Sequence, residues 1–151
     1  MRKVLLLLFA VLCSVCTWGQ SVVMQGMACT ESNNFNHAKT MLINDGLVVN
    51  QKQTTSNCIV LTNGSSSTYD VVIVKLYRKP KTQKVEKVVF QFHPNGKISK
   101  SLGYDLRKWG YSYDGPSDPE FRELYSNKYL GCGLNVNLKG WLEVTFLRYD
   151  Q

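Results

Sequence analysis

The sequence predicts an α+β protein in which two short helices pack on an antiparallel sheet, with a tandem helix-then-strands repeat. β-Branched and aromatic residues crowd residues 69–77 and 85–92, on either side of a basic linker that holds Pro80. Such residues favour strands and proline cannot sit in a central ladder, so residues 69–92 are predicted to form one long hairpin. Apolar residues also recur at helical spacing twice, once before this hairpin and once after it.

The first half of the chain is predicted to run from a helix through two strands into the hairpin. Residues 21–30 lack a period and are expected to form an extended arm. Ser32 or Asn33 can cap the helix that follows, because their side chains accept hydrogen bonds from the free N–H groups of a first turn. Gly46 suits the left-handed position after that helix.

Apolar spacing assigns the faces of these elements. One helical face comprises Phe35, Ala38, Met41 and Leu42. Strands are expected at residues 47–53 and 58–62. The buried face of the hairpin is expected to comprise Val72, Val74, Leu76, Val88, Phe90 and Phe92.

The second half is predicted to repeat this plan. After a turn at residues 93–96, a second helical face comprises Ile98, Leu102, Leu106 and Trp109, and Gly110 ends the helix. Strands are expected at residues 110–113, 129–138 and 141–149, with a loop at 114–119. Residues 120–126 fit a strand or a single helical turn. The possible repeat halves are residues 33–92 and 98–149.

This element order resembles, at the level of pattern, the tandem α-plus-antiparallel-sheet layout of small exported bacterial domains such as β-lactamase-inhibitor-protein-like and PepSY-like proteins. The resemblance covers roughly residues 33–149. Proteins of that layout commonly bind or inhibit other proteins rather than catalyse reactions, so the resemblance implies a binding protein. It assigns no binding residue by position, because fold alone does not fix function.

Residues 1–19 are predicted to be a signal peptide. Arg2 and Lys3 form a positive first region, residues 4–15 are apolar, and Thr17 and Gly19 supply small residues before a cleavage site. The apolar run is shorter than the ~20 residues that span a bilayer. The sequence therefore predicts a secreted or periplasmic protein with one small domain at residues 20–151 and no transmembrane segment after cleavage.

The cysteines fit an oxidising compartment. Cys29, Cys58 and Cys132 remain after the predicted cleavage, so one disulfide plus one buried or free thiol is expected, with the pairing open. No C-x-x-C motif occurs, and His37 and His93 lie far apart in the sequence. Neither a metal site nor a cofactor is predicted.

The positive charge is concentrated in one segment. Of 18 Lys and Arg residues, Arg2 and Lys3 leave with the signal peptide, and the remaining 16 face 11 Asp and Glu residues. Residues 75–108 hold ten basic residues against Glu86 and Asp105. Such asymmetry can mark a polyanion-binding face, although lysines on a hairpin also prevent edge-to-edge pairing. The candidate polyanion-binding residues are Lys75, Arg78, Lys79, Lys81, Lys84 and Lys87.

No pattern in the sequence favours catalysis. Cys132 would need a histidine base such as His93 to act as a nucleophile, and the glycines beside it fit a strand bulge or a disulfide equally well. An acidic cluster in one loop has the composition of a solvated turn; it comprises Asp114, Asp118, Glu120 and Glu123. No phosphate-binding glycine loop or nucleotide fingerprint occurs. We predict that the protein is not an enzyme.

Aromatic residues cluster at the start of the second half. Tyr104, Trp109, Tyr111 and Tyr113 lie beside Arg107 and Lys108. Exposed rings there could stack on sugars or bases, whereas buried rings would form the helix-to-strand junction. Trp109 continues the apolar helix face and is expected to be buried. Tyr111 and Tyr113 are the candidate partner-binding residues.

These observations lead to two functional predictions. The first is an exported, non-enzymatic interaction module that binds an unknown protein partner through its sheet face or loop tips. The alternative is a polyanion-binding protein that acts on envelope polysaccharide, lipid phosphate or nucleic acid through the basic hairpin.

Overall fold

Eight antiparallel strands form one sheet, and helices cover one of its faces. The computed structural model describes residues 18–116 and 120–149, with side chains from Val22 onward, and three helices lie within this part of the chain. The helices are α1 (Trp18–Ser32), α2 (Phe35–Asn44) and α3 (Lys97–Lys108). The strands are β1 (Val48–Val49), β2 (Cys58–Thr62), β3 (Val72–Arg78), β4 (Val85–Phe92), β5 (Ser112–Gly115), β6 (Glu123–Asn127), β7 (Leu130–Val136) and β8 (Leu142–Arg148). The predicted α+β class is confirmed.

The strand order across the sheet is β1-β2-β3-β4-β8-β7-β6-β5. Two meanders, β1 to β4 and β5 to β8, therefore meet where β4 pairs with β8. Helix α2 precedes the first meander and α3 precedes the second. An origin of these halves by tandem duplication stays a prediction.

The central hairpin forms as predicted. Strands β3 and β4 pair so that Val72 faces Phe92, Val74 faces Phe90 and Leu76 faces Val88. All six of these side chains are at most 2% exposed, which confirms the predicted buried face. Alternation accounts for this result, because every second residue of a strand points to the same face of the sheet.

The first helix corrects the expected extended arm. Residues 21–30 belong to α1, which packs between α2 and α3 and crosses β4 and β8. Its contact face consists largely of small or short side chains: Val22, Val23, Gly26, Cys29 and Thr30 are buried. A β-carbon at Gly26 would overlap the Phe146 ring, so the absence of a side chain lets the helix backbone approach the sheet.

The two predicted helices are present with small shifts. The N-cap of helix α2 is Asn34 rather than Ser32 or Asn33, and its side chain accepts a hydrogen bond from the His37 N–H at 3.0 Å. Gly46 and Gly110 follow α2 and α3 with φ of 95° and 83°, the left-handed backbone that favours glycine. Buried residues on these helices include Phe35, Ala38, Leu42, Ile98, Leu102 and Leu106.

Several strands differ in length from the prediction. The strand expected at residues 47–53 contains only Val48–Val49, and residues 51–53 form a turn. A strand or a helical turn was predicted for residues 120–126, and the structure has a strand there, β6, which pairs antiparallel with β7. The predicted signal peptide lies outside the described residues except for Trp18 and Gly19, the first two residues of α1. No helix in the described ranges is long and apolar enough to cross a membrane.

Candidate functional site

The face of the sheet opposite the helices carries the candidate site, and we call it the helix-free face. Alternate residues of β3, β4 and β8 point to it, and strand pairing places them in rows. Tyr77 lies opposite Lys87, and Lys75 lies opposite Val89. In the next row, Ile73 lies opposite Gln91, which in turn faces Glu143 on β8.

A trough runs along these strands. Two adjoining cavities of about 240 and 330 Å³ share Lys75, Gln91 and Glu143. The trough is lined on the β3 side by Ile73, Lys75 and Tyr77, along its base by Lys87, Val89, Gln91, Glu143 and Thr145, and on the β7 side by Glu120, Phe121, Asn135 and Trp141. From the row of Ile73 to the row of Tyr77 it extends about 13 Å, the length of four residues in a strand.

Two glycines of β7 allow aromatic rings to lie close to the backbone at the border of the helix-free face. A β-carbon at Gly133 would overlap the ring of Phe121, and one at Gly131 would overlap the ring of Tyr149. The segment before β6 can therefore cross close to the sheet and form the β7 side of the trough. These glycines were expected to mark a bulge or a disulfide at Cys132; their observed role is close ring contact on the face opposite the thiol.

Amide groups hold the Glu143 carboxylate at the centre of the trough. Gln91 donates from Nε2 to Glu143 Oε1, and Asn137 Nδ2 donates to the same oxygen at 3.4 Å. Gln91 and Thr145 are 8% and 7% exposed, so the base of the trough is nearly as buried as the core. The negative charge of Glu143 is thus stabilised from within the protein.

The two lysines of the trough, Lys75 and Lys87, line the same cavity as Glu120 and Glu143. The Lys87 ammonium lies 5.2 Å from the centre of the Tyr77 ring, a cation–π contact. Both lysine side chains are half-buried and lie on the same face. The trough therefore combines two lysines and two glutamates with apolar surface.

The six candidate polyanion-binding residues do not share one face. Lys75 and Lys87 lie in the trough, whereas Lys79, Lys81 and Lys84 lie at the hairpin tip. Arg78 points to the helix side: its Nη2 donates to the Ser56 carbonyl at 2.8 Å, and its guanidinium lies 5.5 Å from the Phe35 ring. Because of these contacts, Arg78 lies apart from the other five candidate polyanion-binding residues.

The remaining basic residues of segment 75–108 belong to the other side of the molecule. Lys97, Lys100, Arg107 and Lys108 lie on α3, which packs on the helix-covered face. The concentration of charge in the sequence is therefore divided between both faces of the sheet.

The two candidate partner-binding tyrosines separate in burial. Tyr111 is 2% exposed, and its ring lies 6.1 Å from that of Phe146. Tyr111 therefore lacks the exposure that partner binding would need. Gly110 turns the chain before β5 begins at Ser112, and this places Tyr111 in the core rather than on the strand. Tyr113 is 58% exposed and packs against Tyr125 at 5.2 Å. Trp109 is partly buried against the core, in line with its predicted position.

The three cysteines of the described residues, Cys29, Cys58 and Cys132, are free, which corrects the expected disulfide. Burial raises the pKa of the Cys132 thiol well above its ordinary value, and it raises the pKa of Cys29 to about 12 with a smaller contribution from the charge of Asp45. Cys58 is half-buried beside Tyr77, and desolvation raises its pKa as well. Thiols in this state are poor nucleophiles.

Cys132 and His93 are not brought together. Cys132 faces Phe146 on the helix side of the sheet, whereas His93 follows the end of β4 and contacts the rings of Tyr69 and Trp141. Cys132 pairs with Phe146, and Phe92, the residue before His93, pairs with Leu142. Phe146 and Leu142 are four residues apart on β8, which corresponds to about 13 Å of strand. Among the described residues, no group of three His, Cys, Asp or Glu side chains is placed to hold a metal ion.

The acidic cluster and His37 lie at the surface. Asp114, Glu120 and Glu123 are exposed, and Asp118 lies outside the described residues. Glu123 accepts a hydrogen bond from the Tyr125 hydroxyl at 3.0 Å. His37 is exposed on α2.

Several residues of the trough were not singled out from the sequence. Gln91 and Glu143 are polar residues in otherwise apolar strands, a pattern that does place them on the face away from the core. Phe121 and Trp141 precede the first residues of β6 and β8. Sequence alternation gives the face of each residue but not the adjacency of β4 and β8, which creates the trough.

In comparisons with protein families, curated proteins and solved structures, no match to this chain is found.

Proposed function

We propose that this chain is an exported, non-enzymatic interaction module that binds a protein partner in the trough of its helix-free face. The observation that carries the proposal is the combination, in one trough, of a buried base, apolar and aromatic borders, and charged side chains of both signs. Protein interfaces combine an apolar centre with charged groups that select the partner.

The borders of the trough supply the apolar contact area. Trp141 and Ile73 are partly exposed at one end, and Leu138 beside them is fully exposed. Exposed aromatic and aliphatic side chains next to a groove are typical anchors for a partner. The helices leave this face uncovered, so a partner can reach it without any rearrangement of the core.

Site-specific crosslinking tests the proposal. A benzophenone side chain at Ile73 or at Tyr77 would report contacts of the helix-free face, and one at Lys100 on α3 provides the control on the helix side. We expect one polypeptide from the secreting cells to crosslink from both trough positions and not from position 100, and the purified polypeptide to bind the protein at saturation in calorimetry. Equal crosslinking from position 100, or no saturable binding by the purified polypeptide, would contradict the proposal.

The polyanion-binding alternative is favoured by one observation at the hairpin tip. Lys81 and Lys84 are exposed and Lys79 is partly exposed, close to one another in a tight turn. Retention on a heparin column over a salt gradient tests it, because contacts with phosphate or sulfate weaken steeply as salt is added. Tight retention that a variant with Lys79, Lys81 and Lys84 changed to Glu loses would support this alternative, and elution of both proteins at low salt would reject it.

We also infer that the two halves arose by duplication of a helix-plus-meander unit. The support for this inference is the matching element order, α2 with β1 to β4 and α3 with β5 to β8, and the junction of the two meanders at their final strands. Export rests on the signal-like sequence of residues 1–19. Sequencing of the mature N-terminus tests export, and a start at Gln20 is the expected result.

A further inference from the structure

We infer that the exposed face of α3 docks the protein on the surface of an anionic phospholipid membrane. This inference goes beyond the proposed function and does not depend on it, because α3 lies on the side of the sheet opposite the trough. Three observations carry it: the residues exposed on α3, the position of two lysines in its first turn, and the apolar segment that precedes the neighbouring helix α1.

The exposed positions of α3 form one basic stripe. They are Lys97, Lys100, Tyr104, Arg107 and Lys108, and every other residue of the helix is buried or half-buried. With 3.6 residues per turn, the exposed positions fall within an arc of about 100°, and they extend over about 16 Å of helix. A stripe of this shape can lie along a flat surface without any change in the core.

Nearby carboxylates leave the stripe positive. Asp105 is the only acidic residue of α3, and it is buried, with 2% exposure. Two carboxylates belong to segments at the ends of the stripe: Glu123 lines a cleft with Arg107, and Asp70 lies in the loop that contacts the residue before α3. Four cations therefore face two carboxylates, and this excess of positive charge complements anionic headgroups.

The first turn of α3 places its charges against the stability of the helix. A helix N-terminus carries partial positive charge, so anions stabilise the first turn and cations do not. Lys97 and Lys100 lie in this turn, no acidic residue accompanies them, and the N-cap Gly96 makes no side-chain hydrogen bond. Arg107 and Lys108 in the last turn have the favourable placement. An external anion accounts for the two first-turn lysines, whereas helix stability does not.

Helices α1 and α3 begin at the same end of the sheet. In α1, Gly26 lies against Phe146, and the Glu31 carbonyl accepts a hydrogen bond from Arg148 at 3.4 Å. Helix α3 begins after the end of β4, which pairs with the start of β8, and it ends before Tyr111, which contacts Phe146. Both helices therefore run from the first residue of β8 toward its last. The two first-turn lysines of α3 lie at the end of the sheet where α1 begins.

The chain before α1 selects a membrane as the source of the anions. Residues 4–15 are apolar, and α1 begins at Trp18. As a predicted signal peptide, this segment enters the membrane during export, which brings the first turns of α1 and α3 to the bilayer surface. Tyrosine is favoured at that surface, and Tyr104 is 63% exposed in the middle of the stripe. A protein that lies on α3 presents its trough away from the membrane.

Vesicle co-sedimentation tests the inference on the exported protein, purified from the secreting cells. Vesicles of phosphatidylcholine alone are compared with vesicles of equal parts phosphatidylcholine and phosphatidylglycerol. We expect binding to the anionic vesicles only, and severalfold weaker binding for Tyr104→Ser. Each Lys or Arg near an anionic surface contributes about fivefold, so Lys97→Gln with Lys100→Gln should weaken binding about 25-fold. The matched control at the hairpin tip, Lys81→Gln with Lys84→Gln, should leave binding within about twofold.

A melting curve separates loss of docking from loss of the fold. Because cations in a first turn are unfavourable, the variant with Lys97→Gln and Lys100→Gln should melt at or above the wild-type temperature. A lower melting temperature would assign these lysines to the fold and would overturn the inference.

Absence of binding to the anionic vesicles, or equal loss of binding in the hairpin-tip variant, would also overturn the inference. A heparin oligosaccharide or a DNA duplex that binds through α3, while the anionic vesicles do not bind, would identify a soluble polyanion in place of a membrane. The crosslinking experiment reports on the opposite face of the sheet. Its outcome for the proposed function is therefore independent of the vesicle measurements.

Discussion

Gly26 sets how closely α1 approaches the sheet, and its replacement by alanine offers the sharpest test of the fold. Gly26 lies in the interior of α1, and an added β-carbon would overlap the Phe146 ring on β8. Phe146 cannot easily move away, because it is fully buried and its ring makes edge contacts with Phe90 at 5.9 Å and Tyr111 at 6.1 Å. The helix must shift, or the ring must leave its preferred rotamer.

Two opposing effects decide the magnitude. Alanine in a helix interior is more stable than glycine by about 0.5–1 kcal/mol. An extra methyl group in a filled core costs about 1–3 kcal/mol, and overlap with a fixed ring belongs in the upper half of that range. Gly26→Ala should therefore lower the free energy of unfolding by about 1–2.5 kcal/mol. For a domain of this size, the melting temperature should fall by about 4–10 °C.

Gly103→Ala is the matched control, since it is the same substitution in the interior of α3. A β-carbon at Gly103 would meet only the flexible end of Arg107, at 3.9 Å. The helix preference for alanine is then unopposed, and we expect a rise of about 2–4 °C. Thermal unfolding followed by circular dichroism at 222 nm, a generic helix wavelength, measures both variants.

A third variant tests the cause of the loss. Phe146→Leu removes part of the ring, so the cost of Gly26→Ala should be smaller in that background than in the wild-type protein by about 0.5 kcal/mol or more. If Gly26→Ala melts at or above the wild-type temperature, or if the two substitutions are additive, α1 does not pack on Phe146 as described.

Three further predictions follow from burial. Val74→Asp places a charge in the fully buried hairpin face and should abolish cooperative unfolding; a wild-type melting curve would show that the face is misassigned. Mass spectrometry after brief iodoacetamide treatment of the native protein should find Cys58 alkylated before Cys132, because Cys132 is fully buried; faster reaction at Cys132, or a mass that indicates a disulfide, would contradict the structure. Desolvation, with the hydrogen bond to Glu123, raises the pKa of Tyr125 from 10 to about 12, so its contribution to stability is complete below pH 10 and is lost as pH rises toward 12. Denaturant unfolding between pH 9 and pH 12 should show this decrease in the free energy of unfolding, and the decrease should be smaller in a Tyr125→Phe variant. Equal dependence on pH in the two proteins would contradict a raised pKa for Tyr125.

The elements that the sequence predicts well are those with regular alternation. In β3 and β4, every second residue around Val74 and Phe90 is apolar, and the intervening positions are mixed, so both the hairpin and its buried face follow from the period of two. Helices α2 and α3 follow from apolar spacing of three and four residues.

Helix α1 was missed because its contact residues are small. Val22, Gly26, Cys29 and Thr30 are spaced by three and four residues, which is a helical face, but glycine and threonine do not count as apolar in a search for amphipathic periods. Counting small residues as contact positions would have revealed the helix. The same small side chains also allow this face of α1 to pack closely against the sheet.

The trough could be predicted only in part. Alternation indicates that Lys75 and Lys87 leave the core together, and this much is local information. The third strand of the trough is β8, some 50 residues later in the chain, and its position beside β4 depends on the global topology. For Tyr111, local alternation predicts the wrong position. It places Tyr111 on the same strand face as Tyr113, but after the turn at Gly110 the strand begins only at Ser112.

The contact between α1 and β8 also determines when the protein can become stable during synthesis. Paired residues of β4 and β8 are separated by 50 to 60 positions, from Phe92 with Leu142 to Lys87 with Leu147. Until β8 leaves the ribosome, β4 has an open edge and the Gly26 face of α1 has no Phe146 to cover it. Non-local closure of this kind is slow compared with formation of a hairpin. Both the edge of β4 and the Gly26 face of α1 are therefore completed only when β8, the final strand of the described residues, is available.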